Sequence, residues 1–109
     1  QQDGSLTNKL NACAEATMYY VGAMCAHQLK RHDLAYRWAE KAQSTASSPD
    51  RMALLAATLF NVNRYDEALQ MASRALTEDP NNPRLSALRA ELARRVDALR
   101  TDSSISRQQ

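Results

Sequence analysis

Four side chains in this sequence of 109 residues could carry metal or nucleophilic chemistry: Cys13, Cys25, His27 and His32. The two histidines are five residues apart, whereas a metal shared on one helix face needs the i, i+4 spacing. Neither cysteine has a histidine partner on a nearby helix face that could activate its thiol. Only two glycines occur, so no glycine-rich loop can hold a phosphate. The sequence therefore predicts no catalytic site, no metal site and no cofactor, and it favours a non-enzymatic protein.

The two cysteines are also too far apart for a disulfide bond. They lie in what is predicted to be one helix, where a rise of 1.5 Å per residue separates Cys13 from Cys25 by about 18 Å. A disulfide needs Cα atoms within roughly 7 Å of each other. We interpret both as buried thiols of a helical core. Unpaired cysteines favour a reducing, cytoplasmic compartment. The alternative is a processed exported (periplasmic) protein, which would also begin without methionine.

Charge and hydropathy narrow the classes of partner. The formal net charge of +2 is too small to indicate nucleic-acid binding by itself. No apolar run approaches the roughly 20 residues that cross a bilayer. Basic residues near the C-terminus favour a solvated helix face or an acidic protein partner over nucleic acid, because aromatic residues do not alternate with them. These basic residues are Arg84, Arg89, Arg94, Arg95 and Arg100.

Composition and capping signals predict an all-α domain of about five helices. Two glycines and three prolines are too few for the turns of an all-β chain. Ser48-Pro49 and Asn82-Pro83 each combine a capping side chain with a proline in the first helical turn. The segment 102–109 has no apolar face and is predicted to be a disordered tail. The predicted helices cover about 6–30, 33–44, 49–62, 65–77 and 83–100.

Apolar periodicity and small residues define the faces of these helices. The first helix carries one stripe at helical spacing, formed by Leu6, Leu10, Cys13, Thr17, Val21 and Met24. Two alanine trios, like the two proline-marked helix starts, are separated by about 34 residues, a period typical of repeat arrays. Spacings of three and four place each trio on one face, where methyl groups let another helix approach closely. The trios are Ala35, Ala39 and Ala42, and Ala68, Ala72 and Ala75.

Residues 49–82 resemble the tetratricopeptide repeat, a helix–turn–helix unit of about 34 residues. The matching residues are Met52, Leu55, Ala56 and Leu59 in the first helix, and Tyr65, Ala68, Ala75 and Pro80 in the turn, second helix and end of the unit. Residues 16–48 resemble a less regular repeat, in which His32 replaces the turn aromatic and Ser47 the proline. Residues 83–100 resemble a capping helix. The resemblance implies a TPR-like right-handed superhelix of antiparallel helix pairs, in a single domain over 1–101.

The resemblance also implies a concave groove that binds another protein. Carried over by position, its residues are Tyr20, Met24, His27, Gln28, Leu54, Ala57, Phe60, Asn61, Arg84, Leu88, Glu91, Arg94 and Arg95. Chaperone-adaptor members of the family grip a C-terminal carboxylate with lysine and asparagine, but Tyr20, Met24 and Leu54 stand at the matching positions here. The sequence therefore lacks that clamp. An apolar floor with a basic rim remains, suited to an amphipathic helix or an extended apolar segment with acidic character.

Two functions fit this sequence. The leading hypothesis is an adaptor, scaffold or chaperone module that holds one segment of a partner protein. The alternative is a structural subunit of a larger assembly or homo-oligomer, because two repeats fall short of the three or so that are stable alone. Two further alternatives concern the groove and the chain. The groove residues would form a closed core if the first helix folds back over them, and the chain could be a piece of a longer array.

Overall fold

The computed structural model describes the backbone of residues 2–108 and the side chains of residues 4–101. It contains five α-helices and, within the described backbone, no strand. The predicted all-α, helical-repeat fold is therefore confirmed. The helices are α1 (Gln2–Gln28), α2 (His32–Thr45), α3 (Pro49–Asn61), α4 (Tyr65–Glu78) and α5 (Pro83–Gln108).

The helices differ from their predicted bounds mainly near the two ends of the chain. α1 begins at Gln2 rather than near Leu6, and α5 continues through Gln108 instead of ending near Arg100. No glycine or proline follows Pro83, so no helix-breaking residue lies beyond Arg100. The predicted end of the capping helix is corrected accordingly. The predicted disordered tail falls on 102–109, whose side chains lie outside the described residues, and it stays a prediction.

The turns within the two helix pairs have the same geometry. Lys30 and Asn63 both adopt left-handed backbone conformations, with φ of 62° and 68°. After each of them, the next amide donates back to a carbonyl five residues earlier, at 2.9 Å in both turns. This is the Schellman arrangement that ends many helices. α1 and α3 are therefore ended in the same way, at corresponding positions of the two repeats.

The alanine faces form the packing surfaces that their spacing predicts. All six alanines of the two trios are at most 1% exposed. Ala39 of α2 and Ala68 and Ala72 of α4 join one core cluster with larger apolar residues of α3 and α5. These larger residues include Leu55, Leu59 and Leu92. A second cluster joins Met52 of α3, Ala75 of α4 and Leu85 of α5. Small residues on the second helices therefore let the large residues of the first helices interdigitate between them.

Contacts between the first helices follow the repeat. Arg51 donates a hydrogen bond to the Thr17 hydroxyl at 3.4 Å. Asn61 and His27 are also hydrogen-bonded at 3.4 Å. In each pair the two residues are one repeat apart, and each pair joins α1 to α3. Equivalent positions of consecutive first helices therefore lie side by side, and this arrangement builds the groove described below.

Cys13 and Cys25 are both exposed, which corrects the prediction that they are buried. The buried positions of α1 are Ala16, Ala23 and Ala26. At 100° per residue, Cys25 points away from the side of α1 that these alanines share. Cys13 lies at the edge of that side, before the first buried alanine, Ala16. The prediction was wrong because it relied on the usual burial of cysteine before the packed side of α1 was known.

The first half of α1 projects beyond its neighbours. Every residue from Gly4 to Asn11 is exposed, and the first buried residue among the described side chains is Ala16. Among the described residues, α1 packs on α2 and α3 and makes no packing contact with α5. We call residues 4–15 the α1 arm. The arm does not fold back over the first helices, so the alternative of a closed core is not the observed arrangement.

Gly22 leaves room for the indole ring of Trp38. A Cβ atom added at Gly22 would lie 2.5 Å from Cε3 of Trp38. We expect Gly22→Ala to displace the indole and to destabilise the fold, because an overpacking cost of about 1–3 kcal/mol exceeds the roughly 1 kcal/mol gained from helix propensity. Trp38 is the only tryptophan, so its fluorescence emission reports the displacement directly.

Gly4 provides the matched control for this substitution. It lies in the same helix, and nothing stands within 4 Å of a Cβ atom placed there. Gly4→Ala should leave the Trp38 emission unchanged and should not lower the melting temperature. An unchanged emission spectrum and melting temperature in Gly22→Ala would contradict the close packing of the indole on α1.

Candidate partner-binding groove

α1, α3 and α5 together line an open cavity of about 380 Å³. These are the first helices of the two repeats and the capping helix, as the resemblance implies. Eight of the thirteen predicted groove residues line this cavity. They are Tyr20, Met24, His27 and Gln28 of α1, Leu54 and Ala57 of α3, and Arg84 and Leu88 of α5.

A row of three half-buried apolar side chains crosses the floor of the groove. Tyr20, Leu54 and Leu88 occupy the same position in α1, α3 and α5, each one repeat from the next. Leu54 and Leu88 also pack against the main core cluster. Leu54 and Leu88 thus have one side supported by the core and another turned to the groove. Met24 beside them is 40% exposed.

Polar residues lie at both ends of the apolar row. Asp50 and Arg84 line one end of the cavity, near the first turns of α3 and α5. His27 and Gln28 line the other end, at the last turn of α1. An apolar floor with a small number of polar groups around it is typical of binding sites. In such sites, burial of apolar surface provides the affinity and the polar contacts orient the guest.

Four lining residues were missed from the sequence: Asp50, Ala53, Asn82 and Leu85. Asp50 could have been found, because it precedes the predicted groove residue Arg84 by one repeat. Leu85 is buried and reaches the cavity from the core. Nothing in the sequence indicates that Leu85 belongs both to the core and to the lining of the cavity.

The other five predicted groove residues do not line this cavity. They are Phe60, Asn61, Glu91, Arg94 and Arg95. Phe60 follows Leu54 by six residues. At a rotation of 100° per residue, the two side chains point about 120° apart around α3. Its ring packs edge-on against Tyr65 with 5.1 Å between centroids, and it also packs against the main core cluster. Asn61 instead bonds to His27 at 3.4 Å.

The basic rim predicted on α5 is partly neutralised by an acidic residue. Glu91 accepts a hydrogen bond from Arg94 at 2.7 Å and another from Arg95 at 2.7 Å. The guanidinium group of Arg95 also lies 5.9 Å from the centroid of the Phe60 ring. The hydrogen bonds from Arg94 and then Arg95 lower the pKa of the Glu91 carboxyl from 4.5 to about 2.

This arrangement gives a measurable acid sensitivity. A carboxyl group whose pKa is lowered by folding stabilises the folded state above its unfolded pKa, and that contribution is lost as the pH falls to the folded value. The wild type should therefore lose stability relative to Glu91→Gln as the pH falls from 4.5 to about 2. The effect should be small because the three side chains are exposed. Urea unfolding at a series of pH values measures it.

A titration by NMR supplies the control for this prediction. The Glu91 carboxyl resonance should titrate near pH 2 in the wild type, and its pKa should rise toward 4.5 when both Arg94 and Arg95 are replaced by glutamine. A Glu91 resonance that titrates near 4.5 in the wild type would contradict the hydrogen bonds described above.

Other types of site find no support in the described part of the chain. His27 and His32 are neighbours, with ring centroids 6.3 Å apart. Among the described side chains, however, no three His, Cys, Asp or Glu residues form a group that could hold a metal ion. No described helix is both long enough and apolar enough to cross a membrane.

The comparisons with known proteins agree with the geometry. The family model described as tetratricopeptide repeat matches residues 26–92, which is more than half of the chain and runs from the end of α1 into α5. Neither the curated proteins nor the solved structures gave a match. Repeats of this family generally mediate protein–protein interactions and are typically non-enzymatic. The chain therefore belongs to the tetratricopeptide repeat family.

Proposed function

We propose that this protein is an adaptor, scaffold or chaperone module that holds an apolar or amphipathic segment of another protein in the groove between α1, α3 and α5. The row of Tyr20, Leu54 and Leu88 carries this proposal. These side chains lie half-buried on the floor of an open cavity of about 380 Å³. Covering them with a guest removes apolar surface from water, at roughly 25 cal/mol per Å².

An amphipathic helix is the guest that fits this surface best. The floor offers apolar side chains but no row of unpaired backbone groups, because all three lining elements are helices. A guest helix satisfies its own backbone and presents an apolar stripe to the floor. Arg84 at one end favours an acidic side chain on the guest, and Asp50 beside it favours a neighbouring basic one.

Met24 is the most informative position for a test of guest binding. It lines the groove and is 40% exposed, so an aspartate there should not disturb the core. We expect Met24→Asp to weaken guest binding about 10- to 100-fold, as loss of roughly 1.5–3 kcal/mol of apolar burial implies. Met18→Asp is the matched control because Met18 is on α1, 75% exposed and about 120° away from Met24.

The guest itself can be identified by photo-crosslinking. A benzophenone amino acid at Arg84, which is exposed at the groove, is compared with one at Ala90, which is exposed elsewhere on α5. A discrete partner captured at position 84 and not at 90 supplies the sequence of the guest segment. A labelled synthetic peptide of that segment then gives affinities by fluorescence anisotropy. Equal affinity for Met24→Asp and wild type would overturn the groove assignment.

A further inference from the structure

The exposed apolar side chains are concentrated on α1. Of the eight large apolar residues that are exposed in the described part of the chain, five lie on α1, between Leu6 and Met24. Leu6 and Leu10 on the α1 arm are 57% and 60% exposed, within a stretch from Gly4 to Asn11 in which every residue is exposed. The groove accounts only for Met24 among these five.

The spacing of residues on this side of α1 is that of a coiled coil. Positions 6, 10, 13, 17, 20 and 24 alternate between intervals of four and three residues, which is the spacing of core positions in a heptad repeat. We call this set the α1 seam. Its first four positions are exposed and its last two line the groove. The residues of the α1 seam are Leu6, Leu10, Cys13, Thr17, Tyr20 and Met24.

We propose that two copies of this chain pair through their α1 seams as an antiparallel coiled coil. In the register that aligns the two seams completely, Leu6 of one copy lies opposite Met24 of the second copy, and Leu10 lies opposite Tyr20. Cys13 then lies opposite Thr17. Every layer is thus filled by two seam residues, so a second copy supplies the whole complementary stripe. The α1 arm of each copy covers part of the groove of the other.

The charges of α1 permit this pairing. Between Gly4 and Ala26 the only charged residues are Lys9 and Glu15, which cancel, so two copies do not repel each other along the contact. Glu15 lies on the side of the helix opposite the α1 seam, at 100° per residue, and stays in water when two seams meet. A strongly charged partner would find no complementary charge along the α1 arm. A second copy of α1, which is itself nearly neutral, fits this surface better than a strongly charged partner does.

The size of the contact indicates a dimer that dissociates on dilution. The α1 seam is about 27 Å long, and a helix is about 10 Å wide. Even with flanking side chains, such a strip falls short of the roughly 800 Å² per partner of a standard stable interface. Monomer and dimer therefore exchange with concentration, and dissociation uncovers Tyr20 and Met24 in the groove.

The two cysteines supply a matched pair of probes. In the proposed register the two Cys13 Cα atoms are offset by about 6 Å along axes that lie 8–10 Å apart. A short bis-maleimide spans that distance, whereas a disulfide, limited to roughly 7 Å, does not form readily. The two Cys25 residues are about 30 Å apart along the same axes. Cys25→Ser should therefore cross-link to a covalent dimer through Cys13, and Cys13→Ser should not.

Light scattering over a dilution series measures the association itself. We expect Leu10→Lys to raise the dimer dissociation constant at least tenfold, and Met18→Lys, on another side of α1, to leave it unchanged. Leu10 is exposed and does not line the groove, so circular dichroism should stay unchanged and guest binding should persist. Light scattering and guest binding therefore test the pairing and the groove assignment separately, so that one can fail while the other holds.

Three results would overturn the proposal. One is a chain that stays monomeric at every concentration. Another is cross-linking through Cys25 that is as efficient as cross-linking through Cys13. The third is a spontaneous disulfide between two Cys13 residues, because it would require a parallel pair in which these residues face each other.

Discussion

Met52→Ala should lower the free energy of unfolding by about 2–5 kcal/mol, the usual cost of removing a large buried apolar side chain. Met52 is completely buried. It joins three helices, because it packs with Ala75 of α4 and Leu85 of α5. Truncation leaves a cavity where the second repeat meets the capping helix. Urea unfolding followed by circular dichroism measures the loss, which is a large fraction of the roughly 5–15 kcal/mol typical of a domain.

The same chemical change at an exposed methionine is the control. Met18 is 75% exposed on α1, and Met18→Ala should change the free energy of unfolding by less than about 0.5 kcal/mol. If Met52→Ala were as mild as Met18→Ala, α3, α4 and α5 would not meet at Met52 as described.

Ala72→Phe should destabilise the protein by about 3 kcal/mol or more, at the upper end of overpacking costs. Ala72 is 1% exposed and belongs to the core cluster that contains Ala39 of α2 and Leu59 of α3. A phenyl ring in that position has to separate α4 from the neighbouring helices. We expect loss of cooperative thermal unfolding, or a melting temperature far below that of the wild type.

Ala90→Phe tests whether the position, rather than the residue type, causes this effect. Ala90 is exposed on α5, where a larger side chain meets only water. Its melting temperature should remain close to that of the wild type. Equal and small effects of Ala72→Phe and Ala90→Phe would show that the alanine face of α4 is not a close packing surface.

Guest binding and pairing through α1 make use of the same residues, Tyr20 and Met24. If both proposals hold, a guest segment and the α1 arm of a second copy compete for part of the groove. Leu10→Lys should then bind a guest at least as tightly as the wild type does, since fewer grooves are covered. Anisotropy measurements of both proteins at a high chain concentration show whether this competition exists.

Much of the fold could be predicted because it follows from local and periodic features. Proline after a capping residue marks the starts of α3 and α5, and Ser48 does accept a hydrogen bond from the Arg51 amide at 3.2 Å. The alanine trios lie on single helix faces by simple helix geometry, and both are buried. The constant repeat offset also predicts which positions of α1, α3 and α5 lie side by side.

The site could be predicted only in part. The floor residues Tyr20, Leu54 and Leu88 follow from the repeat, but Phe60 and Glu91 do not line the cavity. A repeat motif specifies positions along each helix, whereas the extent of a groove depends on how neighbouring helices rotate against each other. Leu85 illustrates the point, since it is buried in the core and still reaches the cavity.

The amino-acid sequence alone determined the helix pairs, their order and the faces on which they pack, because these depend on contacts within a turn or within one repeat. Tertiary structure decided which side of α1 is covered. It left Cys13 and Cys25 exposed, together with every residue from Gly4 to Asn11 of the α1 arm. The physical reason is that burial belongs to the assembled helices: an apolar stripe on α1 looks the same in sequence whether α2, a guest or a second copy lies against it.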